Sequence, residues 1–199
     1  MEWKLFPDDV VPEQSTFAFH EHRERAPHLE QEWHHGRLET AQDYIARAWR
    51  EYDCTTLVDL GCGDGGLLSL VNITLLDVRA WGYEFTPANL VGAAERGVDA
   101  RQLDFANNLH AIEWADITVM TEVLEHVRDP HGILRYASTR TEVLVASSPW
   151  NENDLSHDAC HVWAWDMEGY AKMITDAGFH VISHVKTGLF QVIMATLVR

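Results

Sequence analysis

Basic residues, cysteines and long apolar runs are all scarce in this chain. Lys plus Arg number 15 against 31 Asp plus Glu, a net charge of −16. A protein that grips long nucleic acid neutralises phosphates with a basic surface, so that class is disfavoured, and anionic membrane surfaces with it. The three cysteines, Cys54, Cys62 and Cys160, form neither a CxxC pair nor a zinc-finger spacing. So sparse and odd a count argues against a disulfide framework and fits a reducing, cytoplasmic setting. The most apolar window, Leu67 to Leu76, is interrupted by Ser69, Asn72 and Thr74, far from the ~20 residues that cross a bilayer. The opening MEWKLFPDDV lacks the basic n-region and apolar stretch of a signal peptide. What is present is 46% hydrophobic residues over 199 positions, enough for one globular domain with a core. A soluble monomer or homodimer is the expectation.

Residues 1–36 read as an irregular arm or lid. They hold three of the six prolines and five of the twelve histidines, with at most a short helix around Ala26–His34. From Arg37 to Tyr52, Leu38, Ala41, Tyr44, Ile45, Ala48 and Trp49 recur at spacings of three and four, an amphipathic helix that opens a domain over 37–199. Strands are then predicted at Thr56–Leu60, Arg79–Phe85, Ala100–Leu103, Asp116–Thr121 and Glu142–Ser147. Helical stretches lie between them near 66–72, 87–96 and 130–139. This alternation predicts an α/β fold with a mostly parallel sheet covered by helices on both faces. After a helix over Asp166–Ala177, strands Phe179–Val185 and Phe190–Leu197 are joined by only four residues. That connection is too short for a parallel crossover, so the last pair is an antiparallel hairpin.

The segment Val58-Asp59-Leu60-Gly61-Cys62-Gly63-Asp64-Gly65-Gly66 follows a strand and opens a helix, where glycines let backbone approach a ligand. Gly61, Gly63 and Gly66 satisfy G-x-G-x-x-G, so a nicotinamide dinucleotide is one reading. Asp59 and Asp64 would repel its pyrophosphate, whereas Asp59 can face an ammonium group. Glu84, 23 residues beyond Gly61, ends the next strand and can accept two ribose hydroxyls. Asp104 and Phe105 end the third strand with an acceptor and an aromatic face for adenine. An ammonium, a ribose and an adenine without phosphate describe S-adenosylmethionine. At these residues the sequence resembles the class I S-adenosylmethionine-dependent methyltransferases, from about Leu57 to the C-terminus. The resemblance implies a Rossmann-like seven-stranded sheet of order 3-2-1-4-5-7-6 with an antiparallel last strand. It also implies a cofactor held by Asp59, Gly61, Gly63, Asp64, Glu84, Phe85, Asp104, Phe105 and Thr121.

Beyond the fourth strand stands Thr121-Glu122-Val123-Leu124-Glu125-His126, and His161 lies farther along. On one helical turn Glu122, Glu125 and His126 share a face. Two subfamilies resemble this E-x-x-E-H pattern: 3′-terminal RNA 2′-O-methyltransferases and quinone-pathway O-methyltransferases. The likeness implies a divalent metal (magnesium, manganese or zinc) on Glu122, Glu125, His126 and His161. Metal-free members of the fold share the string, their histidine shaping the pocket. His157 and His161 have a second reading as caps of the Asp166 helix, and Trp163 and Trp165 read as core or pocket wall. In the arm, His28 or His34 is a candidate general base, against a reading of solvated surface histidines. The catalytic candidates are thus His126, His161, Glu122 and His28. The leading function is methyl transfer from S-adenosylmethionine to an oxygen or nitrogen of a small molecule. Its alternatives are RNA 3′-end methylation and a noncatalytic S-adenosylmethionine-binding protein.

Overall fold

The computed structural model describes residues 1–7, 9–10, 12–13 and 16–197. Strand β1 (Glu2–Lys4) and helices α1 (Phe17–Glu21) and α2 (Glu32–Tyr52) precede the alternating unit. That unit runs β2 (Thr56–Leu60), α3 (Gly66–Thr74), β3 (Arg79–Glu84), α4 (Pro87–Glu95), β4 (Ala100–Gln102) and β5 (Ile117–Thr121). It continues through α5 (Pro130–Ala137), β6 (Val143–Pro149), β7 (Trp163–Trp165), α6 (Met167–Asp176), β8 (Phe179–Thr187) and β9 (Phe190–Leu197). Seven strands form one sheet in the order β4-β3-β2-β5-β6-β9-β8, with β9 antiparallel to both neighbours. Numbered within the sheet, this is the expected 3-2-1-4-5-7-6.

Alternation along each strand divides the core. Leu57, Val143, Val145, Val192 and Met194 face α2, α3 and α4, while Val58, Leu60, Leu144, Ala146 and Ile193 face α5 and α6. Both faces are dry, which is why these strands read as continuous apolar runs. Aspartates start the two helices on the second face: Asp129 accepts from the Gly132 N–H at 2.7 Å and Asp166 from the Gly169 N–H at 2.8 Å. Among the described residues no helix is long and apolar enough to cross a membrane.

Three expectations are corrected. Helix α2 begins at Glu32 rather than Arg37, so the 36/37 boundary falls inside a helix. The added turn buries His34 beside the equally buried Arg37, polar side chains that an apolar pattern does not register. The segment 122–126 is not an α-turn. Glu122 has φ 59° and only Leu124–His126 form a 3₁₀ turn, so Glu122 and Glu125 do not share a helical face. His157 and His161 do not cap α6, whose N-cap is Asp166.

The sequence also gave no sign of the small sheet in which β1 pairs antiparallel with β7, Glu2 opposite Trp165. Trp165 is fully buried, stacks on Trp163 with rings 8° from parallel, and donates its indole N–H to Glu2 at 2.7 Å. Trp165→Ala empties a large core position and should destabilise the fold by about 3–5 kcal/mol, read as a lower denaturation midpoint at unchanged m-value. A loss under about 1 kcal/mol would mean that β1 and β7 pack loosely.

Candidate active site

The chain changes direction across the sheet at β2, whose neighbours β3 and β5 lie on opposite sides. In open α/β sheets a crevice forms there, beyond the carboxyl ends of the strands. A cavity of about 890 Å³ occupies that position, at the upper end of small-molecule pockets and roomy enough for two reactants.

One wall is the glycine loop. Gly61 has φ 75°, and a Cβ there would stand 2.6 Å from Val123 Cγ2. Gly63, at φ 57°, lines the cavity, and a Cβ on it would meet nothing within 4 Å. Glu84 organises the loop from below. Its Oε1 accepts the N–H groups of Phe85 and Thr86, both at 2.8 Å, and its Oε2 accepts the Gly63 N–H at 2.9 Å. Asn89 Nδ2 approaches the same Oε2 at a longer 3.4 Å. Phe85, Asp104, Phe105 and Thr121 complete this side of the cavity.

Two cofactor candidates lie elsewhere. Asp59 is buried behind the loop, with Oδ1 unpartnered, and does not line the cavity. Burial lifts its pKa to about 8 against the pull of Arg37. Asp64 is buried under two guanidinium groups. Arg25 and Arg96 each reach its Oδ2 at 2.9 Å, and Arg25 also pairs with Glu95 at 2.8 Å. The carboxylate that seemed poised for a ligand thus fastens the N-terminal arm to α4. Ala26 adds a backbone N–H to Asn89 Oδ1 at 3.0 Å, so a single amide touches both the arm and Glu84.

The histidines line the same cavity. His126 and His161 stand edge to face, with ring centroids 4.7 Å apart. His161 Nδ1 meets Glu152 Oε2 at 2.5 Å, and His126 Nδ1 meets the Cys160 carbonyl at 3.2 Å. A carbonyl and a carboxylate both accept, so Nδ1 is the donor nitrogen of each ring. Burial, reinforced by His161, lowers the His126 pKa to about 3. Glu122 lines the cavity in its left-handed conformation and accepts the Ser147 hydroxyl at 2.7 Å. Burial raises its pKa while Arg37 opposes the shift.

Glu125 departs from expectation. It is fully buried outside the cavity lining, both oxygens lack a partner, and burial with Glu122 nearby raises its pKa well above the usual range. Glu122 and Glu125 are not among the donors that converge here. The set Glu122, Glu125, His126 and His161 therefore does not fit a metal. Among the described residues, the donors that converge within 4.8 Å of one another are those of His126, Cys160 and His161.

His28 also lines the cavity, yet its Nδ1 faces Arg37 Nη2 at 3.5 Å, and His34 Nδ1 accepts from the same nitrogen at 3.1 Å. Burial first, then Arg37, lowers the His28 pKa to about 4, so its lone pair is committed and it is a poor base. The depressed value gives a pH signature. The undocked arm takes up a proton at the ordinary histidine value of about 6.5, and the docked arm only near 4. Docking is therefore fully supported above about pH 6.5 and weakens as pH falls from there toward 4. Amide protection factors across residues 20–31, corrected for the intrinsic slowing of exchange in acid, should fall over that window, and His28→Asn should flatten the dependence. An unchanged profile in the variant would assign the effect to another group.

Sequence reasoning missed Arg37, Glu152 and Cys160. A signal existed for Arg37, a cation in register with Ala41, Ile45 and Ala48 on the apolar face of α2. Glu152 and Cys160 lie in a loop with no periodicity to mark them.

A family model described as a methyltransferase domain matches residues 31–184. The chain belongs to this methyltransferase domain family. A curated relative, the ubiquinone biosynthesis O-methyltransferase of Methylobacterium sp. (strain 4-46), is 36% identical over 110 residues. That match covers 52% of this chain and only 41% of the relative's length. The S-adenosylmethionine-dependent methyltransferase from Clostridium acetobutylicum ATCC 824 superposes with a TM-score of 0.61 at 13% identity, covering 80% of this chain and 92% of the other. The [4+2]-cyclase SpnF superposes with a TM-score of 0.62 at 13% identity, over 79% of this chain and 80% of that one. At such identities the likeness is one of fold, and the cyclase shows that the fold alone does not fix a reaction.

Proposed function

We propose that this methyltransferase-family domain transfers a methyl group from S-adenosylmethionine to a hydroxyl of a small-molecule acceptor. The observation that carries the reading is that the Glu84-braced glycine loop and the His161–Glu152 pair line the same cavity. Gly61, Gly63, Glu84, Phe85, Asp104, Phe105 and Thr121 would hold the cofactor, with ribose hydroxyls replacing the long Asn89 bond to Glu84. When bound, the cofactor supplies an electrophilic methyl on a sulfonium.

The chain's own residues supply positioning and proton transfer. Glu152 fixes the His161 tautomer so that Nε2 is free to take the acceptor's hydroxyl proton, and the carboxylate stabilises the imidazolium that forms. Trp33, Leu189 and Phe190 give the cavity an apolar, planar wall, which suits an aromatic acceptor. The arm, held through Asp64, covers the cavity with His20, Arg23 and His28 and limits water. The ubiquinone biosynthesis O-methyltransferase among its relatives agrees with methyl transfer to an oxygen. Methylation of RNA 3′ ends rested on the quartet with Glu122 and Glu125, and loses that support with Glu125 turned away.

Isothermal titration with S-adenosylmethionine tests the cofactor half of this reading, with micromolar affinity expected. Release of S-adenosylhomocysteine across a panel of phenols and catechols tests the acceptor half. Failure to bind S-adenosylmethionine would overturn the proposal.

A further inference from the structure

We propose that His126, Cys160 and His161 form a binding site for one zinc ion on the acceptor wall of the cavity. All three line the cavity, and their donor atoms lie within 4.8 Å of one another. A tetrahedral zinc with bonds of about 2.0–2.1 Å to nitrogen and 2.3 Å to sulfur needs donors roughly 3.3–3.6 Å apart. The present separations exceed that by at most about 1.5 Å.

The hydrogen bonds have already chosen the metal-binding tautomers. His126 gives its Nδ1 proton to the Cys160 carbonyl at 3.2 Å, and His161 gives its own to Glu152 at 2.5 Å. In each ring Nδ1 is engaged in this way, which leaves Nε2 as the nitrogen for a metal to take. A carboxylate or carbonyl behind a ligating imidazole is the usual support of such sites. The backbone frame is equally set. The His161 N–H bonds the Asp158 carbonyl at 3.1 Å, which turns Cys160 and His161 back as adjacent ligands. The Val162 N–H bonds the Glu125 carbonyl at 2.7 Å, stitching that turn to the 3₁₀ turn bearing His126.

The donor set selects the ion. Two imidazoles and a thiol disfavour magnesium and calcium, which want oxygen. Among the described residues no methionine lines the cavity to complete a blue-copper site. Three protein ligands with a fourth position open to a cavity is a zinc arrangement. Binding exchanges the thiol proton, now donated to Asp158 Oδ1 at 3.0 Å, for the metal: Cys–SH plus Zn²⁺ gives Cys–S–Zn⁺ and a proton released to solvent. Because all three ligands line the cavity, a fourth position would be open to it. There an acceptor hydroxyl would lose its proton to solvent through the ion, which takes over from the His161 lone pair it occupies. That last step rests on the methyl transfer proposed above; zinc binding itself does not.

The test uses tag-free, full-length protein stripped with a chelator. Zinc is titrated against a chromophoric chelator, and cobalt is followed by absorbance. We expect one equivalent of either metal and a thiolate-to-cobalt charge-transfer band in the near ultraviolet. Cys160→Ser should lose the band and weaken zinc at least a hundredfold, while Glu125→Gln should leave affinity unchanged. Sub-stoichiometric binding, or a cobalt spectrum without the thiolate band, would overturn the site. So would a Glu125→Gln defect exceeding that of Cys160→Ser. If Cys160→Ser does not fold, the wild-type cobalt band decides alone. Calorimetry with S-adenosylmethionine on the same metal-free sample separates failure of this site from failure of the cofactor reading.

Discussion

Glu84→Ala is expected to raise the dissociation constant for S-adenosylmethionine by about 10²–10⁴-fold. Two ribose hydroxyls on a carboxylate are each worth about 1.5–3 kcal/mol, and every 1.4 kcal/mol is a factor of ten. The same side chain satisfies the N–H groups of Gly63, Phe85 and Thr86, so its loss also loosens the loop that approaches the ligand. Glu84→Gln should fare little better, because its NH₂ would face backbone donors that now find an oxygen. Glu84→Asp keeps the charge but shortens the reach by one methylene, and should fall between wild type and alanine. Calorimetry on variants whose thermal unfolding stays cooperative gives the answer. Wild-type affinity in the alanine variant would mean that the cofactor is held elsewhere, and the assignment of the β3 end would fail with it.

His161→Ala should lower turnover by about 10²–10⁴-fold, the usual contribution of a positioned proton acceptor, while leaving S-adenosylmethionine affinity within a few-fold of wild type. The ring is held by Glu152 and His126 rather than by the glycine loop, so its loss touches chemistry and not cofactor binding. Glu152→Gln keeps the geometry but replaces the charge that holds the Nδ1 proton, and should show a smaller fall in the same direction. Small imidazole-like bases added to the alanine variant should restore part of the rate. A variant with undiminished turnover would remove His161 from the mechanism, and a matching collapse of cofactor affinity would recast it as a structural residue.

The cofactor wall was far more legible in the sequence than the acceptor wall, for a physical reason. The wall around Gly61, Gly63 and Glu84 is built by consecutive residues at strand ends, where positive φ requires glycine and a strand terminus requires its carboxylate at a fixed offset. Local spacing is therefore also spatial arrangement. Asp64 shares that loop, but whether its carboxylate meets a ligand or Arg25 depends on where a segment 39 residues away comes to rest. The E-x-x-E-H string suggested a helical face because three and four are helical spacings. A left-handed Glu122, fixed by its backbone bond to Ser147 at 3.1 Å, breaks that helix and sends Glu125 into the core.

The sequence by itself determined the sheet and its reversal at the last hairpin. Apolar alternation, connection length and strand-end residues are local properties with few global solutions. It likewise determined which edge of the sheet carries the site. Only the tertiary structure decided which polar side chains meet across the cavity. His161 finds Glu152, His126 finds the Cys160 carbonyl, and Arg37 is drawn from a helix face into the interior beneath two histidines. Such pairings join segments distant along the chain, and each is chosen because burying either polar group without the other leaves a donor or acceptor unsatisfied.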